Sequence, residues 1–356
     1  MVTPALAGTA PLGPRFEEPA APNPAIRACS RKAKAPPLPD LVPPGEHPTS
    51  VRVRAPLSIA NVGPGFDHFG LCLEGPADVL ELRTSRASGL EVYGDAVVPR
   101  DLRRNVATVA AQEVYRQSGL RFRVEARLFK GYHGGSGIGS SGASAVAGAL
   151  AAAALLGLDP REGPTLDLVV HAALCGERVA SGSAHLDNVA ASLFGGFVLV
   201  EGLDPPIVHR LPTPDGARII VALPTLRVST SKARALLPAT VPHQDAVANV
   251  ARASALVHGL LTGDLEQVGR NLSDRLAEPY REPLVPGLAS AKQAALEAGA
   301  WGVALAGSGP AVFALGPPDR TEAVGAALRE GFGRAGVPCH TFTSQVGEGA
   351  SLVGWS

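Results

Sequence analysis

Gly135, Ser136, Gly137, Ile138, Gly139, Ser140, Ser141 and Gly142, continued by Ala143 and Ser144, run without a break into an alanine-rich stretch ending at Leu156. A glycine-rich loop that opens a helix gathers anions. Its glycines let successive backbone N–H groups face one point, and the helix N-terminus adds partial positive charge there. Ser140, Ser141 and Ser144 add hydroxyls for a phosphate or a metal ion. The chemistry this implies is binding of a nucleotide polyphosphate. Neither common phosphate fingerprint applies, because no Gly-Lys-Ser/Thr closes the loop and no acidic ribose-binding residue follows at the spacing of a dinucleotide fold.

Such a loop needs a strand to deliver it and a core to hold it. Residues 122–129 alternate as a strand would and feed the loop, after strand-like segments at 51–55, 79–83 and 90–93 and an amphipathic helical spacing over 107–117. From Ile219 the pattern runs strand (219–222), helix (245–261), helix (288–298), strand (302–306), a Gly-Ser-Gly-Pro turn at 307–310, a strand to Leu315 and a helix over 320–332. That order predicts an α+β arrangement with helices on one face of an antiparallel sheet.

The chain has 356 residues, 46% of them hydrophobic, which suits two domains better than one. Its formal net charge is zero, so it carries no electrostatic footprint for nucleic acid or an anionic membrane. The apolar run from Ala143 to Leu158 is rich in alanine and glycine and reads as a buried helix rather than a membrane span. Cys29, Cys72, Cys175 and Cys339 lie far apart without a Cys-x-x-Cys pair, which argues for reduced thiols in a cytoplasmic setting. Residues 1–48 are rich in proline and alanine, and a disordered tail is expected there.

Three ordered motifs carry a family resemblance. Residues 55–70, with Asn61, Gly63, Gly65 and Asp67, resemble the first motif of the galactokinase, homoserine, mevalonate and phosphomevalonate (GHMP) kinases; residues 135–144 resemble the second and 306–313 the third. Residues 182–197, with His185, Asp187 and Asn188, and residues 273–281, ending in Arg281, are similar to the homoserine kinases in particular. The resemblance implies a two-domain fold, the N-terminal ATP-binding domain (49–205) similar to ribosomal protein S5 domain 2 and the C-terminal domain (206–356) ferredoxin-like. It implies transfer of phosphate from MgATP to the side-chain hydroxyl of L-homoserine, in a homodimer.

Each part of that chemistry then finds residues. Ser141 and Glu177 are similar to the family's magnesium pair, and a hard cation is served by one hydroxyl and one carboxylate. Arg234 and Arg281 resemble its carboxylate-binding arginines, whose planar forks match two oxygens at once. Asn61, His185 and Asp187 complete recognition of the acceptor. Asn188 can orient the acceptor hydroxyl without taking its proton, and Asp67 can hold that hydroxyl as a carboxylate. Because phosphoryl transfer needs little early deprotonation, direct transfer is favoured over a base-first route, with Asp67 open as a base. Asn105 is read two ways, as an adenine-side contact or as the N-cap of the helix that follows. Lys130 is similar to the lysine that precedes the loop. Tyr132 and His133 stand where the family commonly has Ile-Pro, which alters the approach to the loop. The competing readings are another GHMP kinase, such as one acting on mevalonate, and a non-catalytic nucleotide-binding relative.

Overall fold

The computed structural model describes residues 48–355 apart from 96, 120–122, 161–162 and 204–205. The tail expected over 1–48 therefore lies, but for Pro48, outside the described residues, as does Cys29.

Strand β1 (Ser50–Ala60) starts with one wet face, Arg52 exposed between buried Val51 and Val53, and ends as a continuous buried run. It pairs antiparallel with β2 (Phe69–Thr84), with a register shift between Pro56 and Ser58 where proline offers no N–H. The chain continues through β3 (Gly89–Tyr93), α1 (Val106–Ser118), β4 (Val124–Phe129), α2 (Ser140–Leu155), α3 (Gly163–Ser181), α4 (Leu186–Phe194), β5 (Phe197–Leu203) and β6 (Pro206–Leu211). It then gives β7 (Arg218–Pro224), α5 (Thr230–Ala235), α6 (His243–Thr262), α7 (Leu265–Arg270), α8 (Glu278–Arg281) and α9 (Leu288–Glu297). Last come β8 (Gly302–Leu305), β9 (Val312–Gly316), α10 (Thr321–Arg334), β10 (Cys339–Ser344) and β11 (Ser351–Trp355).

The first sheet has the order β11-β1-β2-β4-β3, with β5 and then β6 joined to the start of β2. Helix α2 is buried nearly all round, as its alanines allow, and packs with α1, α3 and α4 against this sheet. Small residues set the spacing: a Cβ on Gly148 would lie 2.0 Å from the Ala107 carbonyl oxygen.

The second sheet, β10-β7-β9-β8, is antiparallel throughout. Along β7, Ile220 and Ala222 face α9 and α10, whereas Ile219, Val221 and Leu223 join the core of the first sheet. Both faces are thus covered, which is why β7 reads as an unbroken apolar run rather than an alternating one. The sheets do not divide the chain at 205: β6 and β11 lie in the second half of the sequence and hydrogen-bond into the first sheet. No helix among the described residues is long and apolar enough to cross a membrane.

One buried ion pair ties the approach strand to α2. Lys130 and Asp78 are 2% and 0% exposed at their side chains. Lys130 Nζ also donates to the Ser140 carbonyl (2.9 Å) and Ser144 Oγ (2.7 Å), and Asp78 accepts from the Gly131 N–H (2.9 Å). Removing one member strands the other charge. Lys130→Met is expected to lower stability by about 3–5 kcal/mol, and Lys130→Met/Asp78→Leu to recover part of it. Urea unfolding of the three proteins checks this, and a single variant as stable as the parent contradicts it.

Candidate active site

The segment between β1 and β2 turns sharply, with positive φ at the non-glycine residues Asn61 (67°), Val62 (44°) and Asp67 (58°). Such backbone is costly for L-residues and persists only where its surroundings fix it. Here they do. Asn61 Oδ1 accepts from the Asp67 N–H (3.1 Å) and Asn61 Nδ2 donates to the Gly307 carbonyl (3.1 Å). Asn249 of α6 reaches across to donate to the Pro64 carbonyl (2.8 Å).

The glycine loop takes positive φ at Gly135 (76°), Gly137 (90°) and Gly139 (63°), and Gly139 caps α2 without any side-chain hydrogen bond. No acidic residue occupies the first turn of α2, so its N–H groups and dipole face the cleft uncompensated. Space is tight as well: a Cβ on Gly139 would lie 2.2 Å from Ser58 Oγ and 2.7 Å from Asn188 Oδ1. Ile138, fully buried, anchors the loop in the core, and its carbonyl accepts from the Ser58 N–H (3.3 Å). Ser136 Oγ is buried with no hydrogen-bond partner, as an atom awaiting a ligand oxygen would be. Loop and helix end therefore fit a polyphosphate.

Around this cradle the structure brings together Asn61, Asp67, Gly135, Ser136, Gly137, Gly139, Ser140, Ser141, Glu177, His185, Asp187, Asn188, Arg234 and Arg281 in one cleft. Ile138 stands behind it, and Gly142 packs against the Asn188 Cβ, where an added Cβ would come within 3.2 Å. Asn105 lies elsewhere. It is buried as the N-cap of α1, its Oδ1 accepting from the Ala107 N–H (3.0 Å) and its Nδ2 donating to the Pro99 carbonyl (2.9 Å). Both ends of the amide are used, so of its two readings the cap is the one the geometry carries.

Ser141 Oγ donates to Glu177 Oε1 (3.1 Å), and this carboxylate is 3% exposed. An oxygen pair of this kind at a phosphate loop fits a magnesium ion. His185 Nδ1 sits 3.4 Å from the same Oε1 and its Nε2 3.1 Å from Ser183 Oγ. Burial opposes the charging of His185, but the Glu177 hydrogen bond and the charges of Asp187, Glu177 and Asp67 outweigh it and hold its pKa above the usual range. Burial pushes Asp187 up to about 6, against the pull of His185 and of the Asn188 and Asn61 N–H groups.

Arg234 Nη2 bonds both oxygens of Asp67, at 2.8 and 2.9 Å. Arg281 is 3% exposed and donates through Nη1 to the Gly307 carbonyl (2.9 Å). The Nε atoms of both arginines are buried without hydrogen-bond partners. Burial lowers the Arg281 pKa, with Asp67 opposing the shift. Both guanidinium groups lie over one ring, Phe66, at 5.5 and 5.3 Å from its centroid.

Four residues without an assigned role in the sequence reading belong to this site. Phe66 supports the arginines. Ser58 donates to Asn188 Oδ1 (3.0 Å), which turns the Asn188 amide nitrogen away from β1 as a donor. Thr230 and Ser308 line the cleft 3.4 Å from each other at their hydroxyls. Phe66, Ser58 and Ser308 lie inside the quoted motifs, whereas Thr230 had no signal beyond its nearness to Arg234.

Comparison with known proteins gives a consistent set of matches. The family described as "GHMP kinases N terminal domain" matches residues 105–196, and "GHMP kinases C terminal" matches residues 256–334. The homoserine kinase of Pyrococcus furiosus is 46% identical over 300 residues, spanning 84% of this chain and 99% of that protein. The homoserine kinase of Thermococcus kodakarensis is also 46% identical, with the same shares. Among solved structures, homoserine kinase from Cytophaga hutchinsonii superposes with a TM-score of 0.79 at 35% identity, over 88% of this chain and all (100%) of that one. The L. major mevalonate kinase solved with R-mevalonate reaches 0.66 at 18% identity, over 87% and 99%, and shares the fold.

The raised Asp187 pKa sets a stability trend. A carboxyl that binds its proton more tightly folded than unfolded loses stability as pH rises through about 6, from the protonated side to the charged side. Asp187→Asn removes that penalty. The variant is expected to be more stable than the parent at about pH 7, by on the order of 1–3 kcal/mol, with the gap narrowing below about pH 6 and closing near about pH 4. A variant that melts lower at every pH contradicts this.

Proposed function

Since this chain belongs to the GHMP kinases, we propose that it transfers the γ-phosphoryl group of ATP to the side-chain hydroxyl of L-homoserine, giving O-phospho-L-homoserine and ADP. The observation that carries this reading is the pairing, in one cleft, of two guanidinium groups with the buried carboxylate of Asp187 beside a phosphate loop. An α-amino acid presents the matching pair of charges. Mevalonate offers a carboxylate but no ammonium, and would leave Asp187 buried without a cation from the acceptor.

The phosphates rest on the backbone N–H groups of the 135–142 loop and the start of α2. Ser141 and Glu177 would hold magnesium, which supplies charge neutralisation on the phosphates. The acceptor's carboxylate takes Arg281, whose Nε has no partner, together with Arg234, and its ammonium takes Asp187; Asn61 and His185 close the pocket around these groups. Arg234 is already held by Asp67, so the incoming carboxylate must share it. With both oxygens of Asp67 engaged by Arg234, the carboxylate is committed to the arginine rather than presented to the acceptor hydroxyl, which supports direct transfer. The Asn188 amide nitrogen, turned by Ser58, donates where the hydroxyl meets the γ-phosphate. There the O–P bond forms, the bond to the β-phosphate oxygen breaks, and the hydroxyl proton passes late to a phosphoryl oxygen. The cysteine usage supports a cytoplasmic setting, and the resemblance supports a homodimer.

Coupled ADP release with MgATP and a panel of L-homoserine, L-threonine, mevalonate and galactose tests the assignment. Turnover with L-homoserine is expected to exceed mevalonate and galactose by at least about tenfold in kcat/KM, since losing one charged contact at a buried site costs more than about 1.4 kcal/mol, and to exceed L-threonine because its hydroxyl sits one carbon short of the γ-phosphate. Equal or better turnover of mevalonate or galactose contradicts it.

A further inference from the structure

A second cavity, of about 190 Å³, lies in the seam between the two sheets. Leu71, Phe197, Ile219, Leu260, Val268 and Phe313 form apolar walls, all of them core residues. A cleft of this kind, with apolar walls below and a polar rim that includes Thr213 and Gln345, suits a small ligand that is apolar at one end and polar at the other. The lining also includes the exposed carboxylates of Glu74 and Asp215 and no lysine, arginine or histidine. Its chemistry suits a small molecule with an apolar body and a cationic end.

Two residues of the cavity wall connect it to the cleft. Val62 forms part of its wall, while the preceding Asn61 lines the cleft. Val62 is β-branched and held at φ 44°, a conformation such residues reach only under constraint from their packing. Leu272 is the other, and a Cβ on Gly63 would lie 2.2 Å from its carbonyl oxygen. Two residues further on, Asp274 accepts from the Leu276, Ala277 and Glu278 N–H groups at 2.7, 2.9 and 2.6 Å. It thereby fixes the start of α8, which ends at Arg281. Pressure on the Val62 and Leu272 walls thus bears on Asn61 from one side and on Arg281 from the other.

We propose that this cavity binds a small apolar primary amine, and that its occupancy changes the affinity of the cleft for its amino-acid acceptor. Coupling rests on the homoserine assignment above, whereas occupancy does not.

Phenethylamine is the probe. Calorimetric titration of the full chain should give saturable binding, at least about tenfold weaker for phenylacetate, whose charge is reversed toward Glu74 and Asp215. At saturating phenethylamine the KM for L-homoserine should change by about fivefold or more, and L-homoserine should shift the phenethylamine Kd by the same factor when both are read as binding constants. Ala217→Leu, at the partly exposed wall, should abolish amine binding and leave the KM without amine within about twofold. Asp215→Asn, at an exposed position, should weaken the amine by about threefold or more. The proposal is overturned by absent saturable binding, by binding indifferent to both variants, or by binding that leaves the KM unchanged in an enzyme that turns over L-homoserine. Should the chain not turn over L-homoserine, the acceptor assignment fails, and the titrations alone still decide whether the amine site exists.

Discussion

The turn between β8 and β9 is where the site is held together. The Gly307 N–H donates to the Ala60 carbonyl (3.1 Å), and the Gly307 carbonyl accepts from both Asn61 Nδ2 (3.1 Å) and Arg281 Nη1 (2.9 Å). Four residues on, the Ala311 N–H donates to the Ser136 carbonyl (3.1 Å). A turn of the C-terminal half therefore fixes the strained 61–67 segment, one of the two arginines and the phosphate loop at once. The close approach leaves no room for a side chain, since a Cβ on Gly137 would lie 2.7 Å from the Gly309 carbonyl oxygen. These main-chain bonds explain why three motifs spread along the chain form one site.

Electrostatics then decides what the cleft can accept. Glu177, Asp187 and Asp67 meet His185, Arg234 and Arg281 in one cleft, and Glu177, Asp187 and Arg281 are buried. Such a set is costly until a zwitterion and a polyphosphate complete it. The up-shifted Asp187 and the paired Asp67 are two signs of that incompleteness. Phe66, its ring shared by both guanidinium groups, offsets part of the repulsion between the two like charges.

Much of this was legible in the sequence, and for identifiable reasons. The loop at 135–144, the strand before it and the helix after it follow from glycine spacing and alternation, and all appear within a few residues of the expected bounds. The clustering of His185, Asp187, Asn188, Arg234 and Arg281 came from resemblance, because no local pattern announces contacts between segments so far apart in the chain. The bond from Ser58 to Asn188 spans 130 positions and had no local trace. Asn105 was ambiguous because an N-cap and an amide ligand ask for the same residue. Membership of β6 and β11 in the first sheet was equally hidden, since short strands take their partners from tertiary packing rather than from their own composition. The tail over 1–47 stands outside what the structure describes.

The central claim is that positioning and charge neutralisation drive transfer, with Asp67 serving as the partner of Arg234 rather than as a base. Steady-state kcat of Asp67→Asn with L-homoserine across pH, alongside a thermal melt to show folding, tests it most directly. The account predicts that kcat stays within about tenfold of the parent and keeps the parent's pH profile, because the amide oxygen can still accept from Arg234 and no proton acceptor is lost from the transfer step. A fall on the order of 10²–10⁴-fold in a folded protein, with loss of the acid limb of the profile, is the signature of general-base catalysis and would contradict it.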